Sequence, residues 1–240
     1  MTPYDISERR RFGTWGFVLA GLVFYNWWPA VLLRPGLLKS PNELFSNLEV
    51  TGQPYATWMQ HADLTAGVLL LAGFILVGNK SLERGMGEWV LLVLFAVSGA
   101  AGGLFPEHCL DTINRSCHVD ELELQLGGAQ YLHIIAGILE FAAITGVLVL
   151  AYRRTHGEHT NEAKIYRGLY LGAWILFPLL AVAYLFVLGG SFVEAAFFTG
   201  FTVVVLTQIY ERTSPRRITS AIPEAPRVND QQTRCVRDRS

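Results

Sequence analysis

Four ionisable side chains lie within long apolar segments of the sequence, where such groups are rare. Asp63, His133 and Glu194 each stand about one helical turn inside one end of an apolar run, and Glu140 follows His133 by seven residues. Seven residues are about two turns of α-helix, so His133 and Glu140 share one helix face. Ionisable groups inside apolar spans usually face the interior of the bundle. The spacing therefore predicts a polar layer at one level of a helix bundle.

Two interpretations of this layer need no metal ion. In the first, Asp63, His133 and Glu194 form structural hydrogen bonds between helices, and Glu140 is protonated or paired. In the second, Glu140 lies near the middle of its span with His133 above it, which is typical of a proton relay or transport path. The sequence alone leaves both interpretations open.

A third interpretation is a metal site that includes the polar loop over residues 106–129. This loop has five acidic residues against Arg115 and carries two histidines. Imidazole and carboxylate groups are ligands of zinc, which can activate a bound water for hydrolysis. The sequence has neither an H-x-x-x-H nor an H-E-x-x-H spacing. The candidate metal ligands are His108, Asp111, His118, His133 and Glu194.

Two cysteines in the same loop, Cys109 and Cys117, stand eight residues apart. If this loop lies outside the cytoplasm, the environment is oxidising and the pair predicts a disulfide. The alternative is that Cys109 takes part in the metal site. The orientation of the chain decides between a bridge and reduced thiols.

The surrounding segments have the composition of a membrane protein. Only 16% of the 240 residues are charged and 51% are hydrophobic, against about 25% charged residues in a typical soluble domain. Apolar runs of about 17–25 residues are long enough to cross a bilayer as helices. We therefore predict an all-α bundle of six transmembrane helices, over residues 12–33, 59–78, 89–105, 130–151, 169–188 and 192–210.

The distribution of lysine and arginine predicts the orientation of these spans. Of the 19 basic residues, 16 lie in the two termini and in the loops after the second and fourth spans. Basic residues concentrate on the cytoplasmic side, so both termini are expected in the cytoplasm of a cell-membrane protein. The expected divisions are a tail over 1–11, a transmembrane domain over 12–211 and a disordered tail over 212–240. The expected partner is the lipid bilayer, and the net charge of −1 gives no sign of nucleic-acid binding.

The pattern resembles the domain-of-unknown-function family 998, a group of multi-pass membrane proteins from bacteria and archaea. The resemblance covers most of residues 12–210. It is carried by Asp63-Leu64-Thr65-Ala66-Gly67, Gly103-Leu104-Phe105-Pro106, Cys109, Cys117 and His133. It implies a six-helix bundle and no established activity.

Some such proteins look distantly similar to membrane hydrolases of the alkaline ceramidase type, which use a histidine-held zinc and an accessory Ser and Asp. The likeness implies comparable roles for Ser98, Asp63 and His133, although Ser98 also fits ordinary packing in the small-residue run 98–103. The candidate catalytic residues are Asp63, Ser98 and Glu140. The expected activity is zinc-assisted hydrolysis of a lipid-soluble substrate. The alternative is a non-catalytic partner subunit or a small proton-coupled transporter.

The orientation makes the first testable prediction. Reporter fusions at Arg154 and at the carboxy terminus should give a cytoplasmic signal, and a fusion within residues 106–129 should give an exterior one. The measurement is the activity of a reporter that works on only one side of the membrane. An exterior signal from the carboxy terminus would contradict the six-span arrangement.

Overall fold

The computed structural model describes most of the chain, in several stretches. These are residues 3–34, 36–38, 44–81, 85–109, 117, 119–120, 123, 125–186 and 190–214. Of the predicted disordered tail over 212–240, only residues 212–214 are described. Two candidate metal ligands, Asp111 and His118, lie outside the described residues.

All regular structure in the described residues is helical. The helices are α1 (Pro3–Tyr25), α2 (Trp28–Leu32), a 3₁₀ helix (Ser46–Glu49), α3 (Ala56–Ser81), α4 (Met86–Leu104), α5 (Gly128–Thr155), α6 (Asn161–Phe186) and α7 (Gly190–Thr213). By length and composition, four segments of this described part can cross a membrane: Ala56–Gly78, Met86–Leu104, Gly128–Thr155 and Gly190–Thr213. The expectation of an all-α membrane protein is confirmed at this level.

The sequence predicts one continuous helix over 12–33, but the first apolar run forms two helices. Helix α1 ends at Tyr25, and α2 begins at Trp28 with Pro29 in its first turn. Proline has no backbone N–H and therefore starts a helix better than it continues one. The Asn26 amide holds the break, donating to Leu22 O at 2.8 Å and to Thr202 Oγ1 at 2.9 Å. The break allows Trp27 to turn inward.

Helix α3 is the centre of the bundle. It packs against α1 on one side and α4 on the other, and α4 packs in turn against α5. Helix α6 contacts α5 and α7, and α7 returns to contact α1, α3 and α5. Near one end of the bundle, Trp15 Nε1 donates to Thr213 Oγ1 at 3.1 Å. We call this end, where α1 starts and α7 finishes, the terminal end, and the opposite end the loop end.

The closeness of α3 and α4 depends on two glycines. A Cβ atom added at Gly67 would overlap the backbone of Ala96 and Ala100, and one added at Gly103 would overlap the backbone of Gln60 and Leu64. Small residues at such crossings let two helix backbones approach within van der Waals contact. The small-residue run of α4 therefore determines how tightly the two central helices pack.

A largely buried ionic cluster joins α4, α5 and α7 at the terminal end. Glu88, at the start of α4, accepts hydrogen bonds from Arg154 Nε at 2.8 Å and from Gln208 Nε2 at 2.8 Å. Arg154 also donates to Glu211 at 2.7 Å, and Arg212 approaches Glu88 at 3.5 Å. The predicted third span begins at residue 89, so the sequence analysis places Glu88 in a loop and misses this cluster.

Replacing Gly103 with alanine should lower the thermal stability of the protein. The new methyl group would meet backbone atoms of α3 that cannot rotate away, and such overpacking typically costs about 1–3 kcal/mol. The measurement is the thermal unfolding midpoint in mild detergent. The matched control is Gly16→Ala, where a Cβ meets nothing within 4 Å and alanine is the better helix former. Equal midpoints for the two variants would contradict the proposed helix contact.

Candidate functional site

A small cavity of about 100 Å³ lies inside the bundle toward the loop end. Four carboxyl side chains line it: Glu49 from the 3₁₀ helix, Asp63 from α3, Glu140 from α5 and Glu194 from α7. None of the lining residues that the structure describes is a lysine or an arginine. The cavity is therefore an acidic space whose four carboxyl groups come from four separate elements.

Helix α5 brings an imidazole and a carboxyl group to the same cavity. His133 and Glu140 lie on one face, with the cavity-lining Gly137 between them. Across the gap, a Cβ on Gly99 would stand 3.7 Å from the Glu140 carboxyl group, so glycine leaves room for this side chain. Counted from the start of α5, Glu140 is roughly 18 Å along the helix, near its middle.

Backbone carbonyl groups fix the ring of His133. Its Nδ1 atom lies 2.8 Å from Phe105 O and 3.1 Å from Gly102 O. Two acceptors on this side mean that Nδ1 carries a proton, because a bare ring nitrogen would repel them. The other nitrogen, Nε2, lies 3.4 Å from Oε1 of the buried Glu107.

The carboxyl group of Asp63 faces inward and has neutral partners. Trp27 Nε1 donates to Asp63 Oδ1 at 2.7 Å, and the side chain of Glu49 adjoins Asp63. An indole N–H stabilises a carboxylate but does not neutralise its charge. The break after α1 therefore supplies a donor to the site.

Two loops connect helices at the loop end, the first between α2 and α3 and the second between α4 and α5, and the first contributes Ser46 and Glu49 to the cavity lining. In the first loop, the backbone N–H of Phe45 donates to Glu194 Oε2, and Gln60 Nε2 donates to Glu49 O at 2.6 Å. The second loop is joined to the first because Thr51 N donates to Glu107 O at 2.9 Å. These bonds between segments distant in sequence hold Glu49 against the bundle.

Glu49 is the most unusual group of the site, since it belongs to a loop and is only 4% exposed. Its Oε2 atom and the hydroxyl of Tyr25 are both buried, and neither makes a hydrogen bond of ordinary geometry to a described residue. Burial raises the pKa of Glu49 well above its ordinary value, and the neighbouring Asp63 carboxylate raises it further. Glu49 therefore tends to hold a proton where an exposed glutamate would not.

The structure brings together four of the side chains singled out from the sequence: Asp63, His133, Glu140 and Glu194 all line the cavity. Ser98 is buried in α4 and does not line it. In the described part of the chain, no three His, Cys, Asp or Glu side chains are grouped so that they could hold a metal ion.

The second loop holds the other candidates. His108 is exposed, and its Nδ1 atom lies 3.3 Å from Thr51 Oγ1. Cys109 and Cys117 lie at disulfide distance, with 6.0 Å between their Cα atoms, which fits the predicted bridge. The remaining two candidates, Asp111 and His118, fall outside the described residues.

Three contributors to the site do not stand out in the sequence. Tyr25 and Trp27 fit an interfacial aromatic belt by position, yet Tyr25 lines the cavity and Trp27 holds Asp63. From the sequence, Glu49 is expected to be one of the solvated acids of a polar loop. Its neighbours Leu48 and Val50 could have indicated otherwise, because both are apolar and the structure buries both.

A second, larger space lies beside the cavity. It is a mostly apolar groove of about 290 Å³, bounded in part by Trp27, Trp58 and Met59. At its rim Arg34 donates to the hydroxyl of Tyr55 at 2.7 Å. Trp27 is thus part of the groove wall and also a partner of Asp63 in the cavity.

Comparison with known proteins gives one match. The family model described as "Protein of unknown function (DUF998)" matches residues 17–210 of the chain. No curated protein and no solved structure matches the chain.

The raised pKa of Glu49 makes a prediction about stability and pH. The folded protein keeps a proton on Glu49 that the unfolded chain releases above about pH 4.5. The stabilisation is therefore full below that pH and is lost as the pH rises, at about 1.4 kcal/mol for each pKa unit of difference. Glu49→Gln stays neutral, so its thermal midpoint should fall less than that of the wild type between about pH 5 and pH 8.

The matched control for this prediction is Glu123→Gln, at an exposed position of the second loop. It should keep the pH dependence of the wild type. Identical pH dependence in all three proteins would mean that Glu49 is not a buried proton-binding group.

Proposed function

This chain belongs to the DUF998 family, and from that premise we propose that it is a small membrane carrier that binds a cation in its acidic cavity in exchange for protons. The observation that carries the proposal is the gathering of four carboxyl groups around one enclosed space with no basic residue among its described lining. Metal-assisted hydrolysis is the second candidate.

The charge balance of the cavity supports cation binding. Several carboxylates cannot all be ionised in one poorly solvated space, because burial and mutual repulsion both oppose their charge. They can be neutralised by bound protons or by a cation that enters among them. A site that accepts either will release protons when the cation binds, and this exchange is the elementary step of a proton-coupled carrier.

The ionic cluster at the terminal end supports a cation site that lies only toward the loop end. From the cavity, α4 continues past the fully buried Leu92 to Glu88. There Glu88 and Glu211 are neutralised by Arg154 and Arg212. A cation therefore meets unneutralised acids at the loop end and a compensated ionic cluster at the terminal end.

We also propose that α1 and α6 cross the bilayer with the four apolar segments described above, which gives six spans in the cell membrane. The contact between Trp15 and Thr213 supports placing both chain ends on one side. The excess of lysine and arginine near that end supports the cytoplasm as that side. The cavity would then face the outside of the cell.

The test is proton movement in liposomes that contain the full chain and an internal pH-sensitive dye. Addition of sodium, potassium or tetramethylammonium ions outside should make the interior more alkaline for at least one of these ions. Glu140→Gln should reduce the initial rate roughly tenfold or more, because an amide of the same size removes one charge from the binding site.

The matched control for the flux test is Glu158→Gln, at an exposed position after α5, which should behave as the wild type. Protein-free liposomes set the background rate. If no ion drives proton movement above that background, the carrier proposal is wrong.

The second candidate rests on His133. Its Nε2 atom and the Glu107 carboxylate approach each other at 3.4 Å, and imidazole with carboxylate is a ligand combination of catalytic zinc. Elemental analysis of protein purified without chelators distinguishes the candidates. About one zinc ion per chain that His133→Ala removes would support hydrolysis of a lipid-soluble substrate.

A further inference from the structure

Aromatic rings form much of the remaining wall of the acidic cavity. Tyr25, Phe95, Phe141 and Phe198 all line it. Tyr25 packs edge-to-face with Phe95, at 5.5 Å between ring centroids, and with Phe198 at 5.2 Å. These contacts between α1, α4 and α7 keep the rings in place. The acidic groups thus stand beside aromatic rings that are packed against one another.

The combination of ring and carboxylate is informative about the ligand. The carboxyl groups can bind protons or a cation, whereas the phenylalanine rings among them offer no oxygen atom to a small hydrated metal ion. The face of an aromatic ring attracts a cation electrostatically, and aromatic cages are the usual means of recognising quaternary ammonium groups. A carboxylate beside such rings adds the full negative charge that an ammonium ion requires.

Two buried oxygen atoms of the wall are only partly satisfied by the protein. Glu49 and Tyr25 are 4% and 7% exposed and adjoin the carboxyl groups of Asp63 and Glu140, yet Glu49 Oε2 and the Tyr25 hydroxyl make no hydrogen bond of good geometry to a described residue. Buried polar atoms are nearly always paired with protein, water or ligand. Both oxygens can face the positive end of a guest in the cavity.

The volume limits the size of that guest. An engineered protein cavity of about 150 Å³ holds benzene, which has six heavy atoms. The cavity here, at about 100 Å³, therefore has room for about four or five heavy atoms. A methylated ammonium ion has this size.

We propose that the acidic cavity selects a small organic ammonium ion, with the carboxyl groups neutralising its charge and the aromatic rings contacting its methyl groups. This inference rests on the proposed carrier function and names its substrate class. It involves no covalent step, since the ion binds and leaves unchanged.

The test is isothermal titration calorimetry of the full chain in mild detergent with tetramethylammonium chloride. The neutral comparison is tert-butanol, which has the same number of heavy atoms and no charge. We expect tetramethylammonium to bind and tert-butanol to give no measurable heat. Equal affinity for both would mean that the cavity selects shape and not charge, and would overturn the inference.

Variants then test the aromatic wall. Phe95→Leu keeps an apolar side chain and removes a ring, and it should weaken tetramethylammonium binding roughly threefold to thirtyfold. The matched control is Phe192→Leu, because Phe192 is 71% exposed on α7; its affinity should equal that of the wild type. If Phe95→Leu does not fold, Phe198→Leu is tested in its place. Unchanged affinity in a folded ring-deleted variant would overturn the role of the rings.

The liposome experiment separates this inference from the function on which it rests. If tetramethylammonium neither binds nor drives proton movement while sodium or potassium does, the protein is a carrier for a different cation and only the ammonium inference fails. If none of the three ions drives proton movement, the carrier proposal fails as well.

Discussion

A carboxylate buried in an apolar helix bundle must be neutralised, because the loss of its hydration costs several kcal/mol. The two ends of this protein meet that requirement in different ways. At the terminal end, Glu88 and Glu211 lie among Arg154 and Arg212, and the charges cancel. At the loop end, Asp63 and Glu140 have an indole and a phenol as neighbours, which orient a carboxyl group but carry no positive charge. The fold therefore has one ionic cluster with balanced charges and one acidic site without a basic partner among its described lining.

Glycine makes the acidic site possible in two distinct ways. Gly67 and Gly103 bring the backbones of α3 and α4 together, which closes the bundle. Gly99 and Gly137 do the opposite beside Glu140, because they leave space that a larger side chain would fill. The same residue type thus tightens the scaffold at one level and opens it at another. A small-residue run in a membrane helix does not by itself tell which of the two uses is present.

The helical periodicity of the sequence is sufficient to place His133 and Glu140 on one face, and depth along the helix predicts that Asp63 and Glu194 stand near them. These inferences succeed because a regular helix relates sequence distance to position in space. Glu49 escapes the same reasoning. It reaches the cavity only because a loop folds back over the bundle, and no local rule determines where such a loop goes.

Glu88 is missed for a related reason. Hydropathy marks a boundary where a charged residue first occurs, whereas the helix continues through Glu88 because arginines from distant segments compensate its charge. The break after Tyr25 could have been predicted, since Pro29 is visible in the sequence. The inward position of Trp27 could not have been predicted, because it depends on the hydrogen bond to Asp63. Tertiary partners decide these positions, and they are not encoded within a few neighbouring residues.

The position of Trp27 has a mechanical consequence. One indole ring bounds the apolar groove and donates to Asp63, whose carboxyl group lines the acidic cavity. The hydrogen bond to Asp63 favours one position of the ring, and a change in the charge of that carboxyl group alters the preference. A rotation of the ring changes the width of the groove, so the charge of an interior carboxyl group and the shape of the groove are coupled through one side chain.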